Sequence, residues 1–322
     1  MKTLLKISVT TTSEAEETIS SVLEKIIGQP AFVYVDAEKQ TTVASVYASK
    51  TLDWSAATQA TLRRELQRLR AGDLPLGSGR ISVAKVRHED WAESWKRHFK
   101  PIEIGSALLL KPSWSRRRPK KNQAVVVLDP GLSFGTGQHP TTRFCLEQIV
   151  AARKPGEVQG FLDIGTGSGI LAIAAARLGY RPVAGTDLDL QAIRIARENA
   201  KQNEVLGQVR LVCQDLLSEP LRSRRKFDLV CANLIFDVLL EGSARIASRL
   251  KPAGVLVLAG ILRAQFPQVR REYEKRGLRM IRSKAENEWV AGAFGWRGER
   301  RHGAWLVLCK QHAVHFRTER AN

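Results

Sequence analysis

The stretch Phe161-Leu162-Asp163-Ile164-Gly165-Thr166-Gly167-Ser168-Gly169 decides the fold. Four residues of an apolar strand run into a glycine-rich turn, and the next residues, Ile170–Leu178, carry a helical apolar pattern closed by Gly179. The same strand–turn–helix unit then repeats along the chain. Pro182–Thr186 reads as a second strand with Asp187 at its carboxyl end, and Asp189 caps a helix through Ile193, Ala196 and Ala200. Val209–Val212 forms a third strand before Asp215, and Phe227–Ala232 a fourth before Asn233. Lys251–Gly254 turns into a fifth, Val255–Ala259. Strands alternating with helices predict an open, doubly wound α/β sheet of the Rossmann-like kind, whose ligands sit at the carboxyl ends of the strands near the switch point. Asp163, Gly165, Asp187, Asp215 and Asn233 all fall at those ends.

Upstream of this sheet lies a second glycine-rich stretch. Residues 129–142 read Asp-Pro-Gly-Leu-Ser-Phe-Gly-Thr-Gly-Gln-His-Pro-Thr-Thr, a loop whose last residues start a helix. Pro140 suits the first helical turn, and Thr142 places a hydroxyl among the free N–H groups there, where a polar ligand is met. A helix start alone accounts for the same residues. His139 precedes the proline in a tight loop, which favours a loop-holding hydrogen bond over a general-base role. Phe134 packs on an adenine ring or anchors the loop.

The first third of the chain has a different plan. Leu4–Val9 alternates as a strand, and Ser13 is placed to cap a helix through Ile19, Leu23 and Ile27 to Gly28. Ala31–Val35 and Val43–Tyr47 follow as two strands. Asp53 opens a second amphipathic helix through Leu62, Leu66 and Leu69 that ends at Gly72, and Ile81–Val86 is the last strand. The order βαββαβ is the ferredoxin-like α+β plan. With no catalytic cluster in it, this module is expected to recognise the substrate. The expected organisation is therefore residues 1–86 as a ferredoxin-like domain, 87–128 as a connecting region, 129–311 as the catalytic domain and 312–322 as a tail. In the connecting region Trp91 and Trp95 share one helical face and are expected to pack as a hinge, with a place along a substrate channel as the alternative.

Composition bounds the function. A chain of 322 residues with 43% hydrophobic residues can fill two cores. The longest apolar run, near Val255–Leu262, is too short and glycine-interrupted to span a bilayer, and Lys6 and the polar residues 10–17 break up any secretion signal. Four scattered cysteines show no metal-type spacing and read as thiols in the reducing cytoplasm. The net charge of +19 is uneven: residues 1–95 carry 12 basic and 12 acidic side chains, so the whole excess lies after them. Arg116–Lys121, Arg222–Lys226 and Arg297–Arg301 are basic loops suited to RNA, or else a solubilising surface.

The glycine turn lets backbone approach a ligand, and Asp187, twenty-two residues after Gly165, can accept both hydroxyls of a ribose. These features suit a dinucleotide as well as S-adenosylmethionine. Two details favour the sulfonium cofactor. The glycines are spaced Gly-x-Gly-x-Gly, and Asp163 stands just before the turn, where it would repel a pyrophosphate and hold a methionine ammonium. Asp215 is placed to accept from the adenine amino group.

Taken together, Leu128–Thr142, Phe161–Gly179, Ala232-Asn233-Leu234, Pro112-Ser113-Trp114 and Gly260-Ile261-Leu262 resemble the PrmA family, methyltransferases of large-subunit ribosomal protein eleven. The resemblance covers most of the chain. It implies a class I Rossmann-like methyltransferase that uses S-adenosyl-L-methionine to methylate lysine and α-amino groups of that ribosomal protein, with the amino-terminal domain presenting it. It also implies cofactor contacts at Thr142, Gly165, Asp187 and Asn233, with the turn residue Gly167 beside them. Asn233 is the expected catalytic residue, orienting the acceptor amine. The family's usual Thr is Gln138 here. The fourth-strand motif is Asn-Leu-Ile, without the Pro-Pro-aromatic clamp of many amide and base methyltransferases. Two segments, Glu288–Val290 and Ala304–Leu308, compete as the final strand. Alternative readings are another protein or ribosomal RNA as acceptor, and a non-catalytic ribosome-assembly factor. Nothing in the sequence demands more than a monomer.

Overall fold

Apolar residues on alternate positions, Leu5, Ile7 and Val9, build the first strand, β1 (Thr3–Thr11), and hide their side chains under two helices. A computed structural model describes residues 3–12, 14–29, 31–36, 41–48, 54–71, 75–87, 100–129 and 139–298. Two compact units emerge, Met1–Phe99 and Lys100–Asn322.

In the first unit β1 is followed by α1 (Glu16–Ile27), β2 (Ala31–Asp36), β3 (Thr41–Ala48), α2 (Ala56–Ala71) and β4 (Ile81–Arg87). The antiparallel sheet has the order β2-β3-β1-β4, the ferredoxin-like arrangement. Ile19 and Leu23 of α1 and Leu62 and Leu66 of α2 close the core against Ile7, Val9 and Val46. The helix α1 starts with Ala15 at its cap position and no side-chain cap bond, while the Thr12 hydroxyl accepts from the Ala15 N–H. Ser13, Asp53 and Gly72, the expected helix boundaries, lie outside the described residues, as do Trp91 and Trp95.

The second unit opens with a small sheet, β5 (Ile102–Ile104), β6 (Leu108–Lys111) and β7 (Ala124–Val127). The main run follows: α3 (Pro140–Ala152), β8 (Phe161–Ile164), α4 (Ile170–Arg177), β9 (Val183–Asp187), α5 (Leu190–Gln202), β10 (Val209–Cys213) and β11 (Phe227–Asn233). After it come α6 (Phe236–Glu241), α7 (Ser243–Ser248), β12 (Leu250–Leu262), α8 (Phe266–Lys275), β13 (Leu278–Glu286) and β14 (Trp289–Trp296).

The seven-stranded sheet has the order β10-β9-β8-β11-β12-β14-β13. β8 to β12 pair in parallel, and β14 inserts antiparallel between β12 and β13. The order reverses between β8 and β11, which makes their carboxyl ends the switch point. Because successive strand side chains alternate, the sheet has two distinct apolar faces. Phe161, Leu229, Cys231 and Val257 pack with α3, α4 and α5 on one, whereas Leu162, Ile164, Val230 and Leu256 pack with α6, α7 and α8 on the other.

β14 contains Trp289 and Val290, so it realises the first of the two competing final strands. The second, Ala304–Leu308, lies outside the described residues. β13 and the three helices α6 to α8 were not expected from the sequence.

Candidate active site

At the end of β8 the chain turns back so sharply that Gly165 takes φ +74°, a left-handed conformation. A Cβ there would lie 2.3 Å from Leu234 Cδ2, so the backbone angle favours glycine and any side chain would displace the leucine that crosses over it. The N–H groups of Gly165 and Thr166 donate to the Thr186 carbonyl at 2.8 and 2.9 Å, tying the turn to β9. Gly169 then caps α4 and lies against Ala196 of α5.

Asp187 is fixed by the same turn. Its Oδ2 accepts from Gly167 N–H at 2.8 Å and its Oδ1 from Asp189 N–H at 3.0 Å. Two backbone donors hold a half-buried carboxylate at the strand end, and each oxygen keeps a lone pair for a further hydroxyl.

Asn233 closes the opposite side of the switch point, at the end of β11. Gly260, with φ +80°, faces it from β12, and a Cβ there would meet Leu234 O at 2.6 Å and Asn233 Oδ1 at 3.0 Å. The bare backbone of Gly260 therefore makes the space that the Asn233 carboxamide uses. That carboxamide makes no hydrogen bond among the described residues.

Asp163 is completely buried on β8. Oδ2 accepts from the Thr166 hydroxyl at 2.7 Å, while Oδ1 is buried with no hydrogen-bond partner among the described residues. Burial pushes its pKa up to about 7; hydrogen bonds from the Thr166 hydroxyl and the Ala172 N–H oppose the rise, and the neighbouring Asp187 charge adds to it. Thr142, in the first turn of α3, is likewise buried with its hydroxyl unpartnered among the described residues. Buried oxygens without partners are free to accept or donate to polar ligand groups. The arrangement suits S-adenosylmethionine.

His139 is the cap of α3. Its Nδ1 lies 2.7 Å from Thr141 Oγ1 and accepts from the Thr141 N–H at 3.4 Å, and its ring meets Trp289 edge-on at 4.9 Å. Burial lowers its pKa to about 4, against the pull of Glu286, so the ring is neutral near pH 7. Asp215 also caps: its oxygens accept from Leu217 N–H at 2.9 Å and the Ser218 hydroxyl at 2.5 Å, and these bonds keep the carboxyl below its usual range.

Gly165, Gly167 and Asp187 are thus joined in one hydrogen-bonded turn, with Asn233 and Leu234 across it. Thr142 lies on α3, which packs across β11 and β12. Gln138 and Phe134 lie outside the described residues. Sequence reasoning did not single out Gly260 or Leu234 as parts of this geometry. The signal for Gly260 was a glycine at the end of a buried strand, facing the asparagine of the next strand. Among the described residues no group of three or more His, Cys, Asp and Glu is placed to hold a metal.

Comparison with known proteins gives one family. Residues 3–294 match the family model described as ribosomal protein L11 methyltransferase (PrmA). A protein named ribosomal protein L11 methyltransferase from Caldanaerobacter subterraneus is 34% identical over 89% of this chain and 97% of its own length. One of the same name from Geobacter sulfurreducens is 43% identical over 65% of this chain and 67% of its own. A crystal structure of ribosomal protein L11 methylase from Lactobacillus delbrueckii superposes with a TM-score of 0.55 at 31% identity, covering 62% of this chain and 99% of that one. With the fold, the glycine turn and the Asp187–Asn233 pair in place, the chain belongs to the ribosomal protein L11 methyltransferase (PrmA) family.

Proposed function

We propose that the protein transfers methyl groups from S-adenosylmethionine to amino groups of ribosomal protein L11, on lysine side chains and the α-amino group. The observation that carries this reading is the switch-point cluster: a backbone-fixed Asp187, an uncommitted Asn233 carboxamide, and the unsatisfied oxygens of Asp163 and Thr142. S-adenosylmethionine, when bound, supplies a methyl group activated by its sulfonium. Asp187 accepts the ribose hydroxyls, and Asp163 and Thr142 receive the methionine end.

The chain's remaining task is to deliver a neutral amine in line with that methyl. A lysine of ordinary pKa, ~10.4, is neutral in fewer than about one molecule in 10³ at pH 7. Asn233 accepts from an amine N–H through its side-chain carbonyl, which points the nitrogen lone pair at the methyl carbon. With the cofactor bound, Asn233 would hold the neutral amine for methylation, and the methylated nitrogen would release its proton to solvent.

The amino-terminal unit, residues 1–86 of the expected organisation, presents the ribosomal protein, and the basic loops contact ribosomal RNA. The protein works as a monomer in the cytoplasm, where ribosomal proteins are made. Among the described residues no helix is long and apolar enough to cross a membrane. Incubation with labelled S-adenosylmethionine and separated ribosomal components tests the reading. Label is expected in L11; label only in RNA overturns it.

A further inference from the structure

No helix connects β10 to β11. A single 3₁₀ turn at Leu216–Ser218 leads into the loop 219–226, so the outer half of the sheet keeps an uncovered groove on the face away from α4 and α5. The half-buried Ala184 and Val212 form its floor, the buried Leu162, Ile164 and Phe227 back it from the core, and the cavity measures about 200 Å³. That is below the roughly 300–1,000 Å³ of sites that take a whole drug-sized ligand, and suits a single flat ring. By strand alternation Thr186 faces this groove and Asp187 the opposite way, so the groove is separate from the switch-point cluster.

The walls are cationic. Arg210, Arg225 and Arg249 line the cavity, and the loop beside it adds Arg222, Arg224 and Lys226. Arg249 is committed: it pairs with the buried Glu219 and donates to Ser223 Oγ at 3.1 Å. Ser223 in turn bonds the backbone of Arg225, at 2.8 and 3.1 Å, which fixes the loop. Among the described residues none of Arg210, Arg222, Arg224, Arg225 and Lys226 is in an ion pair. The other well-described basic loop differs. There Arg117 and Lys120 both pair with Glu103 at 2.5 Å.

We infer that this groove binds single-stranded RNA, seating one unpaired base on the apolar floor and its flanking phosphates on Arg210 and the 222–226 loop. The inference rests on the reading of the basic loops as RNA contacts and is independent of methyl transfer. Unpaired cations around a polyanion release counterions, and an apolar slot of one-ring size accepts a base without reading its sequence. A duplex cannot offer a base to such a slot.

Binding of a fluorescent 12-nucleotide single-stranded RNA, followed by anisotropy across a salt series, tests this with the full-length protein. Changing Arg222, Arg224, Arg225 and Lys226 together to Ala is expected to lower affinity at least tenfold and flatten the salt dependence. Val212→Phe fills the cavity with every charge kept, and is expected to weaken binding about five- to hundredfold, the range for one lost stacked base. Retained S-adenosylmethionine binding by calorimetry certifies the fold of each variant; should Val212→Phe fail that control, Ala184→Val, which also narrows the cavity with every charge kept, replaces it, with a loss of about fivefold expected. Charge-dependent binding that ignores the cavity variant, or equal binding of duplex RNA, overturns the base site while leaving the loops as RNA contacts. No RNA binding at all overturns both. Competition by polyglutamate as effective as by RNA assigns the groove to acidic peptides and overturns the proposal as well.

Discussion

Asp163 and His139 are buried titratable groups whose folded states depart from their ordinary behaviour in opposite directions. Asp163 is raised from an ordinary 3.8 to about 7, so between those values the folded protein holds a proton that the unfolded chain has lost. Its contribution is complete below 3.8 and is lost as pH rises toward 7. His139 is lowered from an ordinary 6.5 to about 4, so in that window the unfolded chain holds the extra proton, and stability is lost as pH falls. Each slope approaches about 1.4 kcal/mol per pH unit, and where the windows overlap they cancel. Urea denaturation between pH 4 and 6.5 should therefore show little net slope from these two residues. Asp163→Asn should unmask stability rising with pH, and His139→Gln stability falling with pH; unchanged slopes in both variants would remove this account. Asp187 and Asn233 separate by what they hold. Asp187→Ala is expected to weaken S-adenosylmethionine binding about ten- to hundredfold by calorimetry, from lost bonds to a charged acceptor. Asn233→Ala should instead lower kcat by about 10²-fold with a much smaller change in cofactor affinity if, as proposed, its carboxamide orients the acceptor amine.

At the scale of elements, the parallel half of the sheet was legible because buried parallel strands are short apolar runs, each ended here by a marker: Gly165, Asp187, Asp215 or Asn233. The antiparallel end was not. β13 reads Leu-Arg-Met-Ile-Arg-Ser-Lys-Ala-Glu, and its charges protect a sheet edge at the cost of the strand pattern. The helices α6 and α7 have six residues each, too few for a helical period to show. In the site, residue types were readable but partners across strands were not. Gly260 and Leu234 earn their roles only from contacts between β8, β11 and β12. The turn between β8 and α4 should tolerate no side chain at its first position. Gly165→Ala combines positive-φ strain of about 1 kcal/mol with overpacking of about 1–3 kcal/mol against Leu234. A loss of about 2–4 kcal/mol in urea is expected; a loss below 1 kcal/mol would show that Leu234 moves aside freely.

The whole molecule divides its labours between two separately built cores, since the apolar cluster of the first unit shares no residue with the two of the second. Every proposed cofactor contact lies within Lys100–Asn322. S-adenosylmethionine at a hundred times its Kd stabilises what it binds by about 2.7 kcal/mol. For a unit of this size that is a rise of roughly 5–10 °C in Tm. Calorimetric scans should show that shift in the transition of the second unit and none in that of the first; a shared shift would mean that the units unfold together. The charge follows the same division, with the neutral first third leaving the basic excess on the part that carries the cofactor turn and the groove.

The crossing of Leu234 over Gly165 reaches beyond stability, into inheritance. Two positions far apart in sequence compete for one small volume, so substitutions at them are not independent events. A descendant chain that acquires a methyl at 165 keeps its turn more readily if 234 has become smaller or has swung aside. Leu234→Ala should accordingly recover the overpacking part of the Gly165→Ala defect and leave the backbone strain. The two positions are therefore coupled: a smaller residue at 234 lowers the cost of a side chain at 165.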